Sequence, residues 1–302
     1  MPTDQPYKSI YLAGQTGSGK TAVAIELSRQ MDTPVEVINA DAYQVYRGLE
    51  IISAVPTPAE QSSIPHHLFG VLASSEECDA AHFSKLAKSK IAEVATRAIP
   101  LVVGGSGLYL KAITHGLAPT PKGDPELRRE LDQRPLENLV KEYESLDPGG
   151  AATTNLKNRR YVTRNLEICL ITGCPASSIK NEWNDNSPDI LGFYLERSRE
   201  DIYHRINRRT LAMFEAGVID EISRLSNLST TAAKAIGIRE IESLIACKIG
   251  EEECVAEIQR TTRRLAKRQE AWFKRETLFS RIKASPNDSP EKLARKIRKD
   301  LD

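Results

Sequence analysis

The segment Gly14-Gln15-Thr16-Gly17-Ser18-Gly19-Lys20-Thr21 has the residue types and spacing of a phosphate-binding loop. Its glycines let the backbone curl so that successive N–H groups face one anion. A helix opening at Lys20 adds the partial positive charge of its N-terminus at the same spot. Lys20 can reach terminal phosphates, and the Thr21 hydroxyl can ligate Mg²⁺. The loop predicts a polyphosphate ligand without naming it, because ATPases and small-molecule kinases use the same device and ATP is the default nucleotide for it. Asp41, in the run Asn39-Ala40-Asp41-Ala42-Tyr43-Gln44, is a carboxylate that could bind Mg²⁺ or take a proton; an N-cap or loop aspartate is the plainer alternative. Gly104-Gly105-Ser106-Gly107 offers backbone room for a close ligand and one hydroxyl, or simply a tight turn.

Positioning these residues calls for a sheet. Short apolar runs at 8–13, Val35-Glu36-Val37-Ile38-Asn39 and Pro100-Leu101-Val102-Val103 read as strands, and 20–31 and 80–98 as helices. Such alternation predicts an α/β fold with a parallel sheet and covering helices. Ligands bind such sheets beyond the C-terminal strand ends, so the loop at 14–21, the Asp41 segment and the Gly104–Gly107 turn should converge. The character changes at Ala118-Pro119-Thr120-Pro121-Lys122-Gly123-Asp124-Pro125, after which the pattern is helical to about 181, and strand character returns at Ile190–Leu195. We therefore divide the chain into a P-loop NTPase-like α/β core (1–117 and 189–285), an inserted all-helical domain (118–188) and a C-terminal helical tail (286–302). Long helices are expected at 199–217, 218–226, 237–248 and 251–279. Ser289-Pro290-Glu291 reads as an N-cap, a proline at N1 and an acidic first turn.

The chain has 302 residues, an apolar fraction of 40% and a net charge of +1, so any basic surface must be local. The clearest one is Arg260 to Arg275, where Arg260, Arg264, Lys267 and Lys274 fall on one helical side and Ile258, Leu265 and Trp272 form a seven-residue seam toward the core. A second cluster, Lys157, Arg159, Arg160 and Arg164, lies in the helical segment. Two separated clusters suit an extended polyanion better than a nucleotide, the alternative being solvated faces with ion pairs. The five cysteines have no metal-type spacing, and with no leader-like N-terminus or apolar run long enough for a membrane they predict free thiols in the cytoplasm. His66 and His67 read as loop or packing residues, and Trp183 and Trp272 as core or interface residues.

Taken in order, these segments resemble the tRNA dimethylallyltransferase (tRNA isopentenyltransferase) family from about residue 8 to about 279. The carriers are GQTGSGKT at 14–21, NADAYQVYRGLEI at 39–51, PHHLFGV at 65–71, PLVVGGSGLYLKAI at 100–113 and RRYVTRNLEICLITG at 159–173, followed by REDIYHRINRRTLAMFEAGVIDEI at 199–222, AIGIREI at 235–241 and TTRRLAKRQEAWFKR at 261–275. The resemblance implies transfer of a dimethylallyl group from dimethylallyl diphosphate to N6 of the adenosine 3′ of the anticodon, in tRNAs reading codons that begin with U. The implied ligand of Gly14–Thr21 is then the diphosphate of a prenyl donor, with Mg²⁺ at Thr21.

The resemblance also implies roles. Asp41 would be the general base, Lys20 a diphosphate contact, Ser106 (in place of the family's usual threonine) a contact to donor and target base, and Arg239 a further diphosphate contact. Asp41, Ala42, Tyr43 and Gln44 would line a base flipped from its stack, with Gln44 at its edge. The tRNA anticodon stem-loop would be held by Arg128, by Arg160, Tyr161, Val162, Thr163 and Arg164, and by Arg263, Arg264, Leu265, Ala266, Lys267 and Arg268. The enzyme would act as a monomer. The sequence departs from the family pattern at Ala42, at Val55 (where a lysine is usual), at Ile238 and at Ala271. Rival readings are an adenylate isopentenyltransferase, a P-loop kinase and a non-catalytic RNA-binding protein.

Overall fold

The computed structural model describes residues 7–181 and 190–301; Trp183, read above as a core or interface residue, lies outside them. The elements run, in chain order, β1 (Ile10–Gly14), α1 (Lys20–Gln30), β2 (Val35–Asn39), α2 (Pro58–Ser63), β3 (His66–His67), α3 (Ala80–Val94), β4 (Ile99–Gly104) and α4 (Gly107–Thr114). A helical stretch follows with α5 (Pro125–Gln133), α6 (Leu136–Leu146), α7 (Pro148–Thr153), α8 (Arg159–Thr172) and α9 (Ala176–Asn181). The chain then continues through β5 (Leu191–Arg197), α10 (Arg199–Glu215), α11 (Val218–Ser223), α12 (Ile238–Ile245), α13 (Glu251–Phe273), β6 (Phe279–Ala284) and α14 (Pro290–Lys299).

The strands form one six-stranded sheet in the order β3-β2-β4-β1-β5-β6, with every named pair parallel. β1, β2 and most of β4 are buried along their whole length, which is why they read as short, mainly apolar runs; the buried Glu36 of β2 is met by Arg97 and His67. Alternate residues serve two cores. Tyr11, Ala13, Ile38 and Val102 join one with α3, α4, α12 and α13; Ile10, Leu12, Val37 and Leu101 join the other with α1 and α14. The chain leaves β1 for β2, then returns through β4 between them before moving to β5 on the far side of β1. That reversal opens a crevice at the strand ends, where α/β sheets take ligands.

Compact units divide the chain into residues 1–114 with 188–302, and 115–187. The helical unit has its own core around Leu131, Leu139, Tyr143, Val162, Leu166 and Ile168. Two details differ from the sequence reading. α13 stops at Phe273 and the chain enters β6, an edge strand whose exposed Ser280, Arg281 and Lys283 obscure its buried Phe279, Ile282 and Ala284. The terminal segment is not a separate tail: α14 starts at the expected Ser289 cap and buries Leu293, Ala294 and Ile297 beside α1.

Candidate active site

β1 delivers Gly14 to the crevice, and the loop to Lys20 turns there. Gly17 and Gly19 sit at φ +79° and +91°, a region that favours glycine. Gly19 is also the N-cap of α1 and offers no side-chain cap, so the first N–H groups of that helix remain open to an anion. Lys20 Nζ donates back to the carbonyls of Gly14 (3.0 Å) and Gln15 (3.1 Å). Burial pushes its pKa down to about 8, with the Asp41 charge pulling it up and Arg209 pulling it down further.

Asp41 is placed by Asn39, the last residue of β2. The fully buried Asn39 side chain accepts from the Asp41 N–H (2.8 Å) and donates to Leu68 O (3.0 Å), while Asp41 Oδ1 accepts from the Tyr43 N–H at 3.0 Å. This turn directs Asp41 into a cavity of about 510 Å³ that Lys20 and Thr21 also line. Gln44 lines it too, but its Nε2 donates to the carbonyls of Ser53 (3.1 Å) and Ala54 (2.8 Å), leaving only its oxygen for a base edge. Glu221 grips the same loop by accepting from the N–H groups of Ile51 and Ile52 at 2.7 and 2.8 Å. The loop forms a wall through Ser53, Ala54, Val55 and Pro56, with Ala54 held at φ +54°.

The glycines after β4 bring backbones together. A Cβ on Gly104 would lie 2.1 Å from Ala40 O, and one on Gly105 2.7 Å from Gly14 O. One on Gly107 would strike the Trp272 ring at 2.3 Å, so Trp272 is a packing residue as expected. The three loops thus converge as the strand pattern predicted, with Gly104 on the cavity wall. Ala42, Tyr43 and Ser106 are not among its lining residues, and Tyr43 packs on the core. His66 lines the cavity, and His67 Nε2 lies 2.7 Å from Glu36 Oε2.

Arg239 is exposed on α12 and does not line the cavity. The cations that do, besides Lys20, are Arg205, Arg208 and Arg209, spaced along one side of α10. Arg205 Nε donates to Gly17 O (2.6 Å) and Arg209 Nη2 to Thr16 Oγ1 (2.7 Å). Burial pushes the pKa of both downward; the Arg197 and Arg208 charges lower Arg205 further and the Arg205 charge lowers Arg209, with Asp201 and Asp41 respectively opposing. Crowded, partly desolvated cations of this kind are relieved by a polyanion. The sequence held a signal for them, an Arg-x-x-Arg-Arg spacing in a helix, but its target was invisible until α10 was folded over the loop.

A magnesium ion fits the donor set. No group of three or more His, Cys, Asp or Glu side chains among the described residues could hold a metal unaided. The cavity instead presents the Thr21 hydroxyl and the Asp41 carboxylate, hard oxygen donors. Mg²⁺ commonly takes one or two such protein oxygens and completes its shell from a phosphate and water.

The proposed polyanion contacts sort by burial. Val162, Thr163 and Ala266 are buried and cannot present side chains to an RNA. Arg128 and Arg164 both pair with Glu167, which is fully buried; although burial opposes it, the two guanidinium groups hold that carboxyl below its usual range. Arg159 donates to the carbonyls of Leu131, Asp132 and Arg134 at the end of α5, while Arg160 and Tyr161 stay exposed. On α13, Arg260 pairs with Glu257 and Arg263 donates to Asn207 Oδ1 at 2.8 Å, while Lys274, the C-cap of that helix, pairs with Glu270. Arg264, Lys267 and Arg268 are exposed, and Leu265 is half-buried. The true seam of α13 is Cys254, Ile258, Thr262, Ala266, Gln269 and Phe273; of the predicted one only Ile258 is fully inside. Polar and small residues fill that seam because part of it faces the phosphate-binding loop, where Gln15 Nε2 donates to Ala266 O at 3.1 Å.

Comparison with known proteins identifies the family. The model of the family described as IPP transferase matches residues 44–276. A tRNA dimethylallyltransferase of Akkermansia muciniphila is 40% identical over 294 residues, spanning 97% of this chain and 99% of its own. The tRNA dimethylallyltransferase 1 of Citrifermentans bemidjiense is 37% identical over 280 residues, 90% of this chain and 91% of its own. Among solved structures, the full-length tRNA isopentenylpyrophosphate transferase of Bacillus halodurans aligns with a TM-score of 0.71 at 30% identity, covering 97% of this chain and 95% of its own. A eukaryotic dimethylallyltransferase acting on tRNA aligns with a TM-score of 0.76 at 26% identity, covering 92% and 74%. The matched span takes in the wall loop, the α10 arginines, the helical unit and all of α13, and on that ground the chain belongs to the IPP transferase family of transferases.

Proposed function

We propose that this enzyme transfers a dimethylallyl group from dimethylallyl diphosphate to N6 of adenosine 37 in tRNA. That adenosine lies 3′ of the anticodon in tRNAs reading codons that start with U, and the product is N6-isopentenyladenosine. The observation that carries the reading is the polarity of the cavity: Lys20, Arg205, Arg208 and Arg209 gather at the phosphate-binding loop, and Asp41 shares the same space.

The chemistry suits that polarity. As the allylic C1–O bond breaks, its electron pair goes to the leaving diphosphate, and charge grows where the cations and the start of α1 can stabilise it. The N6 lone pair forms the new bond to C1. An exocyclic adenine amine is a weak nucleophile, and Asp41 can accept its proton as that bond forms. Mg²⁺ beside Thr21 would supply further charge neutralisation on the diphosphate. The three arginines of α10 take the diphosphate role that the resemblance gave to Arg239. Arg160, Arg264, Lys267 and Arg268 are the exposed cations on which we rest tRNA binding, through backbone contacts to a stem-loop. A monomer in the cytoplasm is the setting we infer, in keeping with five cysteines that all stand free. No described helix is long and apolar enough to cross a membrane.

The test is incubation with labelled dimethylallyl diphosphate and either tRNA or AMP, followed by nucleoside mass spectrometry. Label is expected in N6-isopentenyladenosine from tRNA. Label on AMP alone, or ATP turnover without prenyl transfer, would reject the reading. Asp41→Asn should abolish transfer while tRNA binding persists.

A further inference from the structure

Gln269 lies on the inner face of α13 and is almost wholly buried, between two of the loops that build the cavity. Its Oε1 accepts from the Thr16 N–H at 2.8 Å and its Nε2 donates to Gly105 O at 2.9 Å. One turn earlier the carbonyl of Ala266 receives Gln15 Nε2 at 3.1 Å. Thr16 is also held from the other side, since its hydroxyl receives Arg209 Nη2 at 2.7 Å. A single residue of the phosphate-binding loop is therefore pinned by two helices, at its amide by α13 and at its hydroxyl by α10. Gln269 is the member of this set that also reaches the turn after β4.

We infer that Gln269 is a positioning residue that holds the phosphate-binding loop in register with the Gly104–Gly107 turn, and through it the leaving group in register with Asp41. This rests on the proposed prenyl transfer for its kinetic consequence, though not for its effect on anion binding. The arrangement has a physical logic. Every amide that curls toward an anion must be held there before the anion arrives, or its ordering is charged against binding. A primary amide suits the task because it presents one acceptor and two donors in a fixed plane, so that a loop N–H and a loop carbonyl can be satisfied together. A buried carboxamide also adds no charge beside the cations of α10. The neighbouring positions 263–268 carry the exposed cations, so α13 presents an outer basic face and an inner staple within two turns.

The experiment compares the wild-type protein with Gln269→Leu and Gln269→Glu. Leu matches the shape and removes both bonds. Glu keeps an acceptor for Thr16 but sets a carboxylate against Gly105 O, and it serves if the Leu protein does not fold, as checked by thermal melting. Affinity for inorganic pyrophosphate, read by calorimetry, should fall about tenfold in each variant. The kcat for tRNA prenylation should fall about tenfold to a hundredfold, the scale of a sub-ångström to ångström misplacement, while the Kd for tRNA stays within about twofold. Unchanged pyrophosphate affinity and kcat would overturn the assignment, and so would a loss confined to tRNA affinity, which would put Gln269 in the RNA grip. A fall in pyrophosphate affinity with a wild-type protein that prenylates nothing would leave the staple standing and reject the reaction.

Discussion

Arg209 donates to the hydroxyl of Thr16 at 2.7 Å, so that a helix some 190 residues downstream reaches into the phosphate-binding loop. With Arg205 on Gly17 O, this contact makes α10 a second wall of the anion site. Arg209→Gln keeps much of the reach and removes the charge. We expect the KM for dimethylallyl diphosphate to rise at least tenfold, the scale of one charge-assisted hydrogen bond, with tRNA affinity unchanged. Steady-state kinetics and tRNA gel-shift titration check this together. By contrast, Arg239→Gln should alter neither quantity, since Arg239 is exposed on α12.

Lys20 sets a pH dependence with a definite sign. Its pKa stands near 8 without ligand, below the ordinary lysine value, chiefly because of burial. A folded-state pKa below the unfolded one means that the unfolded chain binds more protons between about pH 8 and 10.5, so this group's destabilising contribution is full below pH 8 and relieved as pH rises through that window. A bound diphosphate favours the charged ammonium. Binding of pyrophosphate at pH 9 should therefore take up a proton, seen as a dependence of the calorimetric enthalpy on buffer ionisation, and Lys20→Met should remove that uptake.

The exposed and the paired arginines should respond differently in RNA binding. Charge reversal at Arg264 and Lys267 is expected to weaken tRNA affinity by tenfold or more at low salt and to flatten the salt dependence, because fewer counterions are released. Glu167→Gln weakens the partner of Arg128 and Arg164 inside the helical unit, and its main effect should be a lower thermal midpoint. Unchanged tRNA affinity in the double charge reversal would remove α13 from the RNA surface.

Gly104→Ala asks whether the site's loops tolerate separation. The added methyl would meet Ala40 O at 2.1 Å, where Gly104 ends β4 and Ala40 directly follows the neighbouring β2. We expect a loss of about 3 kcal/mol from overpacking, read from the urea midpoint, together with loss of activity.

Much of the sheet was legible because its central strands are buried on both faces and read as short, mainly apolar runs ended by glycine or polar residues. β6 was not, since an edge strand alternates buried residues with exposed charges and resembles the end of a basic helix. The α13 seam was misread for a related reason. Periodicity finds apolar stripes, and this stripe is interrupted by Thr262, Ala266 and Gln269, the last two bonded to the phosphate-binding loop.

From its residues alone, the chain determined that it carries an anion-binding loop between a strand and a helix, that Asp41 and the Gly104–Gly107 turn follow strands of the same sheet, and that its cations are clustered. Those properties are local, set by spacing and by the geometry of each turn. Only the tertiary structure decided which cations face the loop and which face solvent. α10 brings Arg205, Arg208 and Arg209 to the cavity, Glu167 engages Arg128 and Arg164, and Gln269 is turned inward while Lys267 and Arg268 beside it are turned out. A charge or an amide acts through what lies within a few ångströms of it, and for these residues the partner is distant in sequence or on the far side of a helix.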